Sequence, residues 1–442
     1  MNFQIEITDI RSFDTVVVGG GVAGFCAAVA SARNGAKTAL IEDMGALGGI
    51  LTQGGNPEIG IFYADYRPAI AGIGWEFCKR LEAAGFAEIP DFSTVDTAIG
   101  GHASNVKVAP AMAEVLLNRM CLEAGVTLML HSKVVAAERE GETVTHLIVA
   151  RKCELSAVSA KAFIDCSGDG DVARVAHAGF HVSEELQPGT FGYSFFCNNL
   201  SQLQEDSLRK AFDEAKAAGK IHHGDYWPEF HAPIKGFFRG GGNNANHIVM
   251  DCSNPQGQTD AEINGREAMA RMIEFARANA DITLYPSYAY TAPRETNRIV
   301  CDYTVTPQDF LSGKIFPDSL CYGYYNMDLH RSTNTDGGRP FEECADHTNL
   351  PRGVVPTVPL SSQTVKGLKN LLCAGRCLSA ERPVMGAFRV KATCMATGEV
   401  AGTVAALCSD GNVRTVDLSA VRKRLTQNGA IVPDASLFAP AE

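Results

Sequence analysis

Three glycines and a glutamate carry the first chemical signal in this sequence. Gly19, Gly21 and Gly24 form G-x-G-x-x-G, and Glu42 follows eighteen residues after the last of them. Glycine at the first place allows a tight turn. At the second it lets backbone approach a pyrophosphate, and at the third it lets a helix pack closely on a strand. A helix opening through Val22 and Ala23 turns its free N–H groups and positive dipole end toward phosphate. A carboxylate at Glu42, with Asp43 beside it, accepts both hydroxyls of an adenosine ribose. Glutamate rather than arginine there disfavours a 2′-phosphate, which leaves NAD and FAD ahead of NADP.

The remaining candidates are polar side chains farther along the chain. Asp328 and His330 are two apart, so on a strand they point the same way. The pair suits either a general base with an orienting carboxylate or a satisfied structural histidine. Arg294 and Arg298 stand four apart in P-R-E-T-N-R. They read either as a clamp for a carboxylate or polar substrate, or as a strand salt-bridged through Glu295. Asn246 and His247 follow the run Gly240, Gly241, Gly242 and suit an active site as polar groups. His222, His223, Asp225 and His231 cluster without matching a zinc spacing, so no metal is expected. No C-x-x-C occurs among the 14 cysteines, which weakens iron–sulfur ligation and a redox dithiol alike. Reduced, buried thiols are expected.

These groups need elements to hold them. Residues 15–18 read as a buried β-branched strand, 22–34 as a closely packed helix ended by Gly35, and 37–41 as a second strand. Helices are expected at 75–84 and 108–124, and a strand at 126–130. Residues 134–162 read as a β-meander, with a separate strand at 162–165. That strand opens into the Gly/Asp loop 166–171, where a Rossmann sheet presents ligand at its carboxyl ends. Residues 180–360 are rich in aromatics and long loops. They read as an antiparallel sheet with helices at 203–218 and 260–280, and the stretch 236–244 as neither buried strand nor helix start. A strand at 371–374, a loop at 375–388 and a helix at 390–408 close the pattern. Residues 1–13 read as a polar leader or an edge strand, and 411–442 as a short helix with a loose tail.

Composition bounds the partners. The chain has 442 residues, 45% hydrophobic and 20% charged, enough for two domains with a substantial core. A net charge of −11 without a basic cluster argues against nucleic acid. No membrane span is expected, and the N-terminus has neither the basic nor the apolar region of a secretory signal, so a cytoplasmic protein is expected.

A second glycine cluster at residues 44–49 adds Gly48 and Gly49 just past Glu42. In two-domain flavoproteins a glycine pair here lets backbone pass close to the cofactor, which points to FAD. Over residues 14–55, 108–176, 292–330 and 359–407 the sequence resembles the FAD-dependent oxidoreductases of the glutathione-reductase-like superfamily. The resemblance implies an α/β fold: a Rossmann-type FAD-binding domain with an inserted α+β substrate domain. It divides the chain into an FAD domain at 1–178 and 361–410, a substrate domain at 179–360, and a C-terminal helix and tail at 411–442. It implies non-covalent FAD, since no family-matched His or Cys stands where covalent flavins are tethered. Val134 is then either an adenine contact or plain sheet, and the loop of Gly168 and Asp169 either covers the pyrophosphate or caps itself. The last helix, with Arg389, Ala392 and Thr393 at its N-terminus, faces flavin N1 and the C2 carbonyl, where negative charge develops on reduction. Gly375 and Arg376 stand where flavin hydroxylases carry Gly-Asp.

No second Rossmann unit is visible, so electrons pass to a substrate or a docking carrier. The implied activity is hydride transfer between a small polar organic substrate and flavin N5. His330, oriented by Asp328, handles the proton, with His247 next in line, and Arg294, Arg298 and Arg389 clamp the substrate. The alternatives are a flavin-dependent hydroxylase and an FAD-binding subunit of a larger redox complex. Oligomerisation is left open.

Overall fold

The computed structural model describes residue 7 and residues 9–97, 102–230, 232–240, 244–330 and 345–438. His231, Gly241 and Gly242, singled out above, lie outside the described residues.

A seven-stranded sheet organises the fold. Its strands run Thr127–Met129, Thr38–Ile41, Asp9–Val18, Glu154–Asp165, Thr143–Arg151, Ser132–Glu140, and Leu371–Cys373 joins Glu154–Asp165 beside this path. The first four run parallel to one another, and Leu371–Cys373 runs parallel to Glu154–Asp165. Val16, Val17, Leu40 and Ile41 are buried because both faces of a parallel sheet are covered. The crossover helix Val22–Arg33 buries ten consecutive residues, which only a run of Ala, Gly, Val and similar small groups tolerates. This is a mixed α/β architecture with a Rossmann-type parallel core.

Two strands are longer than expected. Asp9–Val18 starts inside the supposed leader, and residues from Asp9 onward pair with the stretch beginning at Ser156. Glu154–Asp165 is one strand of 12 residues, not a meander strand followed by a separate one. No turn residue interrupts its Ser- and Ala-rich middle. One of its edges is divided: residues 154–159 pair antiparallel with Thr143–Arg151, and Phe163 to Asp165 pair parallel with Leu371–Cys373.

The returning helix Lys391–Leu407 lies against Val22–Arg33 at backbone distance. A Cβ on Gly398 would overlap the Ala23 carbonyl, and one on Gly402 would overlap the Ala27 carbonyl. Residues 392–405 are all buried there.

The remaining elements correct several expectations. Residues 180–360 contribute short two-stranded ladders, such as Phe195–Cys197 with Ile282–Leu284, in place of one continuous antiparallel sheet. Their alternating runs are too short to build a wider sheet. A separate aromatic cluster, including Phe191, Tyr193, Phe212, Tyr226, Phe237 and Phe275, packs with the helices Glu205–Ala217 and Pro255–Asn279. Lys235–Gly240 is a short helix where none was expected, because Phe237 and Phe238 both find burial on one side. The supposed loop at 375–388 contains the helix Arg382–Phe388, with Pro383 in its first turn. The helix expected from residue 108 begins at Pro110, and Val106–Val108 is a strand. Among the described residues no helix is long and apolar enough to cross a membrane.

The helix contact yields a stability test. Gly402→Ala forces a methyl into the Ala27 carbonyl and should cost about 1–3 kcal/mol, the usual penalty of overpacking. A denaturant midpoint equal to wild type would show that the two helices are not locked at backbone distance.

Candidate active site

Two groups of residues come together around the ends of the parallel strands and the start of the returning helix. The first is the glycine-lined groove. Gly19 adopts φ +95°, and any Cβ there would overlap the backbone of Cys166. A Cβ on Gly24 would overlap the Gly19 carbonyl, so the helix sits directly on the strand end. Gly21 differs, because a Cβ there would meet nothing within 4 Å. Two of the three glycines therefore close the turn, and the third leaves its face open to a ligand.

Glu42 ends the second strand and is only 7% exposed. Its Oε2 accepts the Gly20 N–H at 2.5 Å and its Oε1 accepts the Met44 N–H at 2.8 Å. Burial, and then its contact with Asp43, pushes its carboxyl up to about 8. Gly48 and Gly49 both take positive φ, and a Cβ on Gly49 would lie 3.2 Å from the Gly21 Cα. The second glycine cluster thus packs on the first. It is extended by Gly54 and Gly55, whose missing side chains make room for the rings of Tyr290 and Tyr288. Nothing in the local sequence pointed to those tyrosines.

Asp169 is ion-paired. Its Oδ1 accepts from Arg376 Nη2 at 2.8 Å and from Thr296 Oγ1 at 2.7 Å, and Arg376 Nη1 donates to Thr296 Oγ1 at 2.9 Å. The guanidinium lies against Gly168, where a Cβ would be 2.8 Å from Nη2. Gly375, at φ +82°, gives its N–H to Thr397 Oγ1 at 3.2 Å. Val134 is buried in a strand and pairs with Val149. At the helix start, Ala392 N–H is taken by the Gly60 carbonyl at 2.9 Å. Thr393 Oγ1 is buried and has no partner among the described residues.

The expected FAD fits these residues. The open backbone at Gly21, the Glu42 carboxyl group at the second strand end and the orphaned Thr393 hydroxyl supply the polar partners that a dinucleotide flavin needs.

The second group is a buried histidine pair. His330 Nδ1 lies 3.0 Å from His247 Nε2, although the two are 83 residues apart in sequence. His330 Nε2 lies 3.4 Å from Asp328 Oδ2. Trp227 stacks on His247 with ring centroids 4.8 Å apart and meets His330 edge-on. Burial first, and then the Arg294 charge, pull both histidines down, His330 to about 4. Both rings are therefore neutral near pH 7, with one N–H each. A bare His330 Nε2 would set a lone pair against the Asp328 carboxylate, so the proton belongs on Nε2. His330 Nδ1 then accepts from His247 Nε2–H, and His247 Nδ1 is left as the outer acceptor.

Two arginines border this pair. Arg389 Nη2 donates to the Asp328 carbonyl at 3.1 Å, and its approach to Asp328 Oδ2 is 3.6 Å. Arg294 Nη1 donates to the Pro188 carbonyl at 2.7 Å, and Nη2 to Asn244 Oδ1 at 2.7 Å. Gln187 Oε1 links the parts, accepting His330 N–H at 3.1 Å and Arg389 Nη2 at 3.4 Å.

Arg298 is not brought to this group. It pairs with Glu295 at 2.7 Å, and Glu295 also holds Arg382 at 3.0 Å. Asn246 faces inward and bonds the Phe191 backbone through both side-chain atoms. In the His222 cluster, Asp225 is taken by Arg271 through two bonds of 2.7 Å. Sequence reasoning missed Gln187 and Trp227. It also missed Lys391, which donates to the Glu58 carbonyl at 2.7 Å and is pulled down to about 7 by burial.

The FAD dependent oxidoreductase family matches over residues 14–425. No curated protein matches the chain. Among solved structures, the chain is similar to an anhydrotetracycline hydroxylase from Streptomyces rimosus. That match has 20% identity and a TM-score of 0.32 over 45% of this chain and 41% of that one. It is also similar to a geranylgeranyl bacteriochlorophyll reductase-like protein from Thermoplasma acidophilum, at 14% identity and a TM-score of 0.42, over 95% and 84% of the two chains. A flavin-dependent brominase matches at 14% identity and a TM-score of 0.40, over 94% and 84%. The chain spans less than half the length of the hydroxylase.

The depressed His330 sets a pH dependence. Its neutral form is favoured in the fold, so its contribution to stability is present above about pH 6.5 and lost as pH falls toward 4, on the order of 3 kcal/mol. His330→Gln should flatten the fall of the thermal midpoint across that window. Parallel curves for both proteins would mean that His330 does not titrate on unfolding.

Proposed function

The chain belongs to the FAD dependent oxidoreductase family, and we propose that it transfers a hydride between a small polar organic substrate and N5 of its FAD. The observation that carries this reading is the line Asp328, His330, His247 beside Arg389, two residues before the helix Lys391–Leu407. FAD supplies the two-electron exchange when bound. The chain supplies the rest.

The open face of Gly21, on the turn closed by Gly19 and Gly24, would hold the diphosphate, Glu42 the ribose, and Thr393 with the helix N-terminus the flavin. Arg376, neutralised by Asp169, lends the groove hydrogen-bond donors and no net charge. His247 Nδ1 accepts the proton that leaves a substrate O–H or N–H as the adjoining C–H gives up its hydride. The proton on His247 Nε2 is held on line with His330 Nδ1. Asp328 keeps the His330 tautomer that makes this possible. The role foreseen for His330 alone thus passes to the pair, with His247 outermost. Trp227, stacked on His247, and the buried Gln187 limit water at the pair. His247, Arg294, Asp328 and His330 all come from residues 179–360, in keeping with an inserted substrate domain.

The test uses anaerobic mixing of oxidised holoprotein with pools of small metabolites, followed by flavin bleaching. With the substrate so found, His247→Ala and His330→Ala should each slow reduction by roughly 10²–10⁴ while FAD stays bound. Normal single-turnover rates in both variants would remove the pair from the chemistry.

A further inference from the structure

We infer that the substrate is a small organic carboxylate, its anionic group held between Arg294 and Arg389; this rests on the hydride-transfer reading and names its substrate class. Four other arginines of restricted access each meet a carboxylate directly. Arg271 reaches Asp225 at 2.7 Å, Arg298 reaches Glu295 at 2.7 Å, Arg376 reaches Asp169 at 2.8 Å and Arg382 reaches Glu295 at 3.0 Å. These four guanidiniums, Arg298 buried and the others partly so, are each neutralised by a carboxylate in direct contact, which offsets the cost of desolvating a charge.

Arg294 and Arg389 break this habit. Arg294 is 8% exposed, and its two hydrogen-bond partners among the described residues, the Pro188 carbonyl and Asn244 Oδ1, are both neutral. Arg389 gives its hydrogen bonds to the neutral Asp328 carbonyl and Gln187 Oε1, and its nearest carboxylate oxygen is at 3.6 Å. Its Nε is buried and has no acceptor among the described residues. The consecutive residues Gln187 and Pro188 tie the two arginines to one spot. Among the described residues, these two guanidiniums and the Asp328 carboxylate, with both histidines neutral, leave one positive charge in excess beside the histidine pair.

A single carboxylate on the substrate balances that excess and gives Arg389 Nε an acceptor, in the planar geometry that guanidinium favours. A dianion such as phosphate would overshoot it. The same anion changes the chemistry nearby. The Arg294 charge depresses His247 and His330, and burial beside Arg389 pulls Arg294 itself down to about 9. A bound carboxylate offsets the arginines, so substrate binding makes the histidine pair a stronger base at the moment it is needed.

The experiment titrates oxidised holoprotein with a panel of two- to six-carbon carboxylates, each beside its primary amide, and with inorganic phosphate. It reads the flavin difference spectrum and the thermal midpoint, not turnover. At least one carboxylate should perturb the flavin and raise the midpoint, with its amide at least tenfold weaker. Arg389→Gln and Arg294→Gln should each weaken that carboxylate by roughly 10- to 100-fold, as loss of a charge-assisted bond implies. If the buried Arg294→Gln variant does not fold, the somewhat more exposed Arg389→Gln decides. Amides binding as well as acids, phosphate binding better than every carboxylate, no carboxylate binding at all, or an Arg389→Gln variant with wild-type affinity would each overturn the inference. Bleaching by a neutral alcohol or amine alone would overturn it and leave the hydride-transfer reading standing. Selective carboxylate binding with no bleaching by any pool would support the anion site and remove the hydride-transfer reading instead.

Discussion

The contact between two helices at backbone distance is the constraint on which this structure depends. Gly398 and Gly402 of the returning helix sit on the carbonyls of Ala23 and Ala27, one turn apart on each helix. No side chain intervenes, so the register between the helices has little freedom. One helix begins at the open glycine of the nucleotide groove, and the other begins beside Arg389. The distance between the two ends of the candidate cofactor site is therefore set by close packing and not by a flexible connection.

The same device continues toward the catalytic candidates. A Cβ on Gly386 would lie 2.7 Å from the Asp328 carbonyl, so the short helix before Arg389 rests on the backbone of the Met327–His330 strand. Arg389 bonds that same carbonyl. Glycine packing thus passes position from the nucleotide helix to the returning helix, to Arg389, and then to Asp328 and His330. Burial does the electrical work at the end of this chain. It keeps both histidines neutral and leaves two guanidiniums with neutral partners, a combination that water would level out.

Much of the parallel core was legible in the sequence because its information is local. A β-branched run, three spaced glycines, a helix of small residues and an acid at the next strand end each speak within about 30 residues. The returning helix was legible for the same reason, since its Ala, Gly and Thr content over residues 391–407 announces close packing. Strand boundaries were less so. Nothing between residues 156 and 162 marks where a meander ends, because the one continuous strand changes partners along its edge, and pairing is not written in either segment alone.

The sequence by itself determined the nucleotide motif, the discontinuous pattern of strand and helix around it, and a short list of polar residues near chemistry. The tertiary structure alone decided which of these meet. Arg294 and Arg298 are four apart and look alike in sequence, yet one is spent on Glu295 and the other faces neutral acceptors. His247 and His330 entered as separate candidates and became one hydrogen-bonded pair across 83 residues, with Arg389 a further 61 residues beyond Asp328. The physical reason is that secondary structure follows from spacing along the chain, whereas a side chain's partner, charge state and role follow from what other segments bring beside it and from how much water they leave.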